Sequence, residues 1–308
     1  MDTPAPILPP TIAGNVRHYF GHRGEQWLAY FPEIVLEICR KWELVLQKPF
    51  SNLSINYVTP VLQADGSSAV LKLGVPGSGM EDEMAALRHF NGRSMVQLLK
   101  ADPKNGAMLL EHIYPGHSLS QVNDDHSATQ IISHLINRIH TSPSSEGEFP
   151  NISDWFGDLF EWQESSISKI FPIPVDMVLK AQKRADQLLG TAAPPTVLHG
   201  DLHHENILNS GDDIWLLIDP KGVLGEPVYE TAAMLRNGLP NDPDCPDLQR
   251  ILEQRIQDLS DNFQFDPDRI AHWGFCQTVL SIIWASGAGN IPDLRWIRIA
   301  QVLSAMCT

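Results

Sequence analysis

The stretch V-L-H-G-D-L-H-H-E-N-I-L (Val197 to Leu208), followed by I-W-L-L-I-D (Ile214 to Asp219), decides how this chain folds. Polar residues crowd between two apolar runs. Asn206–Asn209 and Ile214–Ile218 flank Ser210-Gly-Asp-Asp213, a turn composition, so they predict a hairpin. Folding one run against the other brings Asn206 and Asp219 to the same end. Two oxygen ligands there suit magnesium, which takes few protein carboxylates and fills its shell with phosphate oxygens and water. Asp201, on the loop before them, can accept a proton from an attacking hydroxyl.

One base beside two magnesium ligands is the division of labour of phosphoryl transfer. The same loop admits another reading. His199, His203 and His204 with Asp201 and Glu205 form a cluster of the type zinc favours. A metallohydrolase would need further ligands elsewhere in the chain. Otherwise His199 braces the loop through hydrogen bonds.

Towards the N-terminus, residues 1–12 are rich in proline and expected to be loose. Arg17 to Leu46 reads as helical pieces interrupted at Pro32. Trp27, Phe31, Ile34, Ile38, Trp42 and Val45 recur at three- and four-residue steps and mark a core-facing stripe. Asn56–Gln63 and Ala69–Leu73 flank Asp65-Gly66. Val96–Ala101 and Ala107–Glu111 flank Pro103-Lys-Asn-Gly106. Both predict hairpins, with a short helix, Met80–Phe90, between them. Lys72 shares a strand face with Val70, opposite Leu71 and Leu73. Gly74, Gly77 and Gly79 match neither G-x-G-x-x-G after a first strand nor a Walker A motif, and read as a flexible connector.

Beyond Tyr114-Pro-Gly116 the pattern turns helical. Helices are expected to end near His140 and to cover Asp154–Ile170, Asp176–Leu189, Glu226–Asn237, Pro246–Phe263, Pro267–Ser286 and Pro292–Met306. Thr141–Pro150 reads as a polar loop. The domain organisation is therefore a small lobe over residues 1–113 and a large one over 114–308. Glu226 reads as an acid favoured by a helix N-terminus, and Glu230 as structural.

The 308 residues carry a net charge of −15, with an isoelectric point near 5.1. That balance makes nucleic acid and anionic membrane surfaces poor partners. Cys39, Cys245, Cys276 and Cys307 form no C-x-x-C pair, which argues against a disulfide scaffold and fits a reducing compartment. With no secretory signal and no membrane-length apolar run, the expected location is the cytoplasm.

The residues H-G-D-L-H-H-E-N-I-L (His199 to Leu208) and I-D-P-K-G-V-L-G-E-P-V-Y-E (Ile218 to Glu230) resemble the aminoglycoside phosphotransferase family. Within it they look like the branch of streptomycin 6-phosphotransferases and hydroxyurea phosphotransferases. The similarity reaches A-V-L-K-L-G (Ala69 to Gly74) and covers most of the chain from about Asn52. It implies a two-lobed α+β fold of protein-kinase type, with an antiparallel sheet in the small lobe and a mainly helical large lobe. Asp201 would be the catalytic base, and Asn206 and Asp219 the Mg2+ ligands. Lys72 would contact the phosphates of ATP or GTP, and Glu83 would pair with Lys72. Leu110-Glu-His-Ile113 would form the hinge, Glu111 and Ile113 lying where the backbone meets the base. Ser51–Asn56, a segment without glycine, would cover the nucleotide through Ser and Asn side chains or backbone amides. The acceptor would be a small hydroxylated molecule carrying positive charge, as streptomycin does. Asp154, Trp155, Asp158, Glu161 and Trp162 are candidates for its walls, or else form a solvated amphipathic helix. A hydroxyurea-type acceptor, and a nucleotide-binding module without catalysis, are the alternatives within the fold.

Overall fold

The computed structural model describes residues 6, 8–51, 53–140, 149–163, 173–242, 244–287 and 293–306. The expected polar loop at 141–150, the later part of the helix expected over 154–170, Asn52, Pro292 and Cys307 lie wholly or partly outside these residues. The chain divides into two compact units, Met1–Tyr114 and Pro115–Thr308.

The first unit starts with helix α1, Pro10–Trp42. Proline at the first helical position costs no hydrogen bond, because that amide has no partner in the helix anyway. The segment expected to be loose is therefore helical from Pro10, and Ile12 is fully buried. The helix runs on through Pro32. It bends instead at Gly21, whose φ of 52° and ψ of −128° suit a residue without a Cβ. Strands β1 (Val45–Leu46), β2 (Tyr57–Leu62) and β3 (Ser68–Leu73) follow, then helix α2 (Met80–Phe90) and strands β4 (Leu98–Asp102) and β5 (Ala107–Glu111). The five strands form one antiparallel sheet in the order β1-β2-β3-β5-β4.

Alternation along the strands gives the sheet two different faces. Ala69, Leu71 and Leu73 of β3 join Tyr57, Val61, Ala107 and Leu109 in one apolar cluster with Trp27, Phe31, Val35, Ile38 and Trp42 of α1. Burying each of the larger side chains contributes about 1.5–3 kcal/mol, so α1 is an integral layer of the unit. Lys41, near its end, binds Asp102 of β4 at 2.7 Å. Lys72 points to the other face. The connector before α2 is pinned rather than flexible. The Gly77 amide donates to both carboxylate oxygens of Glu81 at 3.0 and 3.1 Å, and Arg23 reaches the Pro76 carbonyl at 2.6 Å.

The second unit contains helices α3 (Asp125–Ile139), α4 (Ile152–Glu161) and α5 (Val175–Gly190). Strands β6 (Thr196–Leu198), β7 (Ile207–Asn209), β8 (Trp215–Leu217) and β9 (Val223–Gly225) follow. Helices α6 (Ala232–Arg236), α7 (Leu248–Phe263), α8 (Pro267–Gly287) and α9 (Leu294–Met306) close the chain. Residues 270–282 of α8 are all buried, as expected of a helix that is apolar all round; α4, α5, α6, α7 and α9 pack against it, and α3 packs on α7. The expected hairpin is β7–β8. A second ladder, β6–β9, pairs Val197 with Leu224 and was not evident in the sequence. Among the described residues no helix is long and apolar enough to cross a membrane.

Candidate active site

In the first unit, Lys72 Nζ lies 2.7 Å from Glu83 Oε1 and 2.8 Å from Oε2. Both side chains are buried, so this is the ion pair the sequence anticipates. Strand β3 presents the lysine and the first turn of α2 presents the carboxylate. Removing one partner of a buried pair leaves an uncompensated charge and typically costs about 3–5 kcal/mol. At the end of β5 the Glu111 amide donates to the Gln97 carbonyl at 2.9 Å. Ile113 is buried two residues later.

In the second unit the loop between β6 and β7 is held at almost every residue. Gly200, with φ of 83°, turns the chain after β6. A Cβ there would come within 2.9 Å of Trp155 and of Val223. The buried Glu230 carboxylate accepts from the amides of His199 and Gly200 at 2.6 and 2.9 Å. His199 Nδ1 lies 3.3 Å from the Asp201 amide and therefore accepts from it. The ring proton must then sit on Nε2, which donates to the Ile218 carbonyl at 2.9 Å. Burial pushes the His199 pKa down and keeps the ring in this neutral form. Lys221 closes the frame, its amide donating to the His199 carbonyl at 2.7 Å.

Asn206 Nδ2 donates to the Asp201 carbonyl at 3.0 Å, so Oδ1 is the atom that the side chain could offer to a cation. The Ile218 amide donates to the Asn206 carbonyl at 3.0 Å, so Asp219 begins one residue beyond the point where β8 meets Asn206. The structure thus brings Asp201, Asn206 and the root of Asp219 into one frame. An amide oxygen and a carboxylate are a hard donor set that fits magnesium better than zinc. Among the described residues no three His, Cys, Asp or Glu side chains converge on a metal position. The three histidines of the loop go separate ways, which leaves the hydrolase alternative without a ligand set there.

The Asp201 carboxylate is partly exposed and surrounded by basic groups. Arg236 Nη2 is 3.7 Å from Oδ1, while Lys221 Nζ and His203 Nε2 are each 3.8 Å from Oδ2. Burial pushes the Asp201 carboxyl up, but His203, Lys221 and Arg236 outweigh it and hold the group below the usual carboxylate range. Asp201 is therefore ionised at neutral pH, ready to accept a hydrogen bond from a hydroxyl.

Arg236 also lines a cavity of about 740 Å³ together with His204, Glu205, Asp242, Asp293 and Trp296. Its guanidinium donates to Gln277 at 3.1 Å and stacks over Trp296 at 4.8 Å from the ring centre. None of the residues expected to wall an acceptor in Asp154–Trp162 lines this cavity. Asp154 is spent on the capping box of α4 with Asn151. Trp155 packs edge-on to Tyr229 and Trp284, and Asp158 accepts from Trp284 at 2.7 Å. Glu226 also departs from its expected role. It is buried, pairs with Arg269 at 2.6 Å and accepts from Trp273. Sequence reasoning gave no role to Arg236 or Lys221. The only signal was a lysine two residues after Asp219 and a basic residue ending a short apolar helix.

This frame defines a phosphotransferase with a fold of the protein-kinase type. A family model described as aminoglycoside/hydroxyurea antibiotic resistance kinase matches residues 41–289, and the chain belongs to that family. It is 28% identical over 277 residues to the streptomycin 6-kinase of Streptomyces griseus, covering 90% of each chain. It is also 28% identical to the hydroxyurea phosphotransferase of Kitasatospora aureofaciens, over 96% of this chain and 85% of the relative. In fold it is similar to the choline kinase of Streptococcus pneumoniae, with a TM-score of 0.65 at 19% identity, over 90% of this chain and 99% of the other. The chain is thus a small-molecule phosphotransferase.

Proposed function

We propose that this enzyme transfers the γ-phosphoryl group of ATP or GTP to a hydroxyl of a cationic, streptomycin-like acceptor, with Asp201 as the base. The observation that carries the reading is the ionised Asp201 carboxylate beside a cavity reached through Arg236. The acceptor hydroxyl donates to Asp201, which orients it and takes its proton as the bond to phosphorus forms. Lys72, held by Glu83, contacts the donor phosphates, and the backbone at Glu111 and Ile113 meets the base. Asn206 and Asp219 would hold magnesium, which when bound offsets charge on the donor phosphates.

The cavity lining supports a positively charged acceptor. Asp125, Glu205, Asp242 and Asp293 outnumber Arg236 and Arg295 there. Asp125 and Asp293 are already paired, with Arg255 and Arg295 respectively, so Glu205 and Asp242 are the carboxylates left to meet a cation. Attraction between exposed charges weakens as salt screens it. The test is Michaelis kinetics on streptomycin, hydroxyurea and neutral sugars at low and high salt. Turnover of streptomycin with a KM that rises with salt supports the reading. Turnover of hydroxyurea without a salt effect, and none of streptomycin, overturns the cationic acceptor while leaving a kinase.

A further inference from the structure

Three basic groups face the Asp201 carboxylate, and they are not equivalent. Arg236 is only 9% exposed and is fixed by Gln277 and the Trp296 ring. His203 is half-buried, its ring 17% exposed, and burial pushes its pKa down. Lys221 is different: its side chain is 48% exposed and its ammonium stands 3.8 Å from Asp201 Oδ2. That distance is too long for a hydrogen bond. Among the described residues the Lys221 ammonium donates to no protein group. Its backbone, in contrast, is fixed to the same loop through the 2.7 Å bond to the His199 carbonyl. A half-exposed lysine near a carboxylate contributes about 0–1 kcal/mol to stability, so the fold gains little from placing it there.

A hydroxyl bonded to Asp201 would put its oxygen roughly 2.7 Å from the carboxylate. In a reactive pose the phosphorus stands roughly 3–3.5 Å beyond that oxygen. An ammonium 3.8 Å from the same carboxylate, on a four-carbon stem, can therefore reach the equatorial oxygens of the phosphoryl group in flight.

We propose that Lys221 is a catalytic residue whose ammonium binds the transferring phosphoryl group as it moves to the acceptor. The proposal rests on the reading of Asp201 as the base. In the step, a lone pair of the acceptor hydroxyl forms the new bond to the γ-phosphorus. The bond from that phosphorus to the β,γ-bridging oxygen breaks, and its electron pair leaves with the nucleoside diphosphate. The hydroxyl proton passes to Asp201. Lys221 neither gives nor takes a proton; it donates hydrogen bonds to oxygens whose charge spreads in the transition state.

The experiment compares the parent with Lys221→Met and Lys221→Arg. Calorimetry measures MgADP binding with and without aluminium fluoride, which mimics the phosphoryl group in flight and needs no acceptor. Turnover is followed with streptomycin. The expected result is that aluminium fluoride tightens MgADP binding in the parent and not in Lys221→Met, while MgADP alone binds both equally. With streptomycin, Lys221→Met should lose about 10²–10³-fold in kcat at unchanged KM for ATP, and Lys221→Arg should recover part of it. Equal tightening in parent and Lys221→Met overturns the proposal. So does a loss confined to MgADP binding, which would make Lys221 a ground-state contact. A parent that binds no MgADP fails the kinase reading itself, a result visible without any variant.

Discussion

Glu230→Gln tests how the loop that carries Asp201 is held. The carboxylate is 1% exposed and accepts from two successive backbone amides, at 2.6 Å from His199 and 2.9 Å from Gly200. Glutamine keeps the shape but has one acceptor oxygen. Its amide group would set a donor against one of the two N–H groups, and the bond that survives loses its ionic character. Hydrogen bonds to charged groups are worth about 1.5–3 kcal/mol, and a buried unsatisfied donor costs about 1–3 kcal/mol. The expected loss is therefore about 2–4 kcal/mol, felt first in local opening of the loop. At 1.36 kcal/mol per decade, that corresponds to a fall of roughly 30- to 1000-fold in hydrogen-exchange protection at His199 and Gly200. Exchange measured by mass spectrometry on peptides spanning 196–202 reads this directly, with kcat falling in parallel. Unchanged protection at these amides would refute the claim that Glu230 braces the loop.

Asp219→Ala should weaken nucleotide binding in the presence of magnesium and leave the magnesium-free affinity as it is; a calorimetric titration with the same magnesium dependence in both proteins would remove Asp219 as a ligand. The histidines of the loop predict a pH dependence of stability. Burial pushes His204 from its ordinary 6.5 down to about 3, so below pH 6.5 the unfolded chain binds a proton that the folded one refuses. Stability is then highest above 6.5 and falls with pH from there towards 3, by about 1.4 kcal/mol per pH unit for this residue. His204→Phe should reduce the slope of unfolding free energy against pH by that amount between pH 6 and 4, and an unaltered slope would count against a neutral buried His204.

Local chemistry made part of this architecture legible. Helix α2 and the two hairpins of the first unit are written in short-range patterns: alternation, turn residues and a three-to-four-residue stripe. The pairing of Lys72 with Glu83 followed from the family resemblance, since a lysine on a strand face is by itself unremarkable. The loop from His199 to Asn206 stood out because so many polar residues sit between apolar runs. What stayed hidden depends on partners distant in the chain. Glu226 looks like a helix-start acid until Arg269 and Trp273, on α8, are seen to enclose it. Arg236 ends a five-residue helix, and nothing local says that it meets Asp201. Asp154 and Asp158 read equally well as ligand contacts or as helix structure, and only the fold shows Asp154 capping α4 and Asp158 accepting from Trp284 of α8. Pro32 looked like a break, yet the bend falls at Gly21, where the backbone needs a conformation open to glycine.

The role proposed for Asp201 is to accept the hydroxyl proton during phosphoryl transfer. The most direct measurement is single-turnover transfer of the labelled γ-phosphoryl group of ATP to streptomycin by the parent and by Asp201→Asn, with MgATP affinity determined on the same samples. General-base assistance contributes about 10²–10⁴-fold. The predicted result is a loss of that size in the rate of transfer with MgATP affinity unchanged. Transfer by Asp201→Asn at the parent's rate would rule out Asp201 as the base.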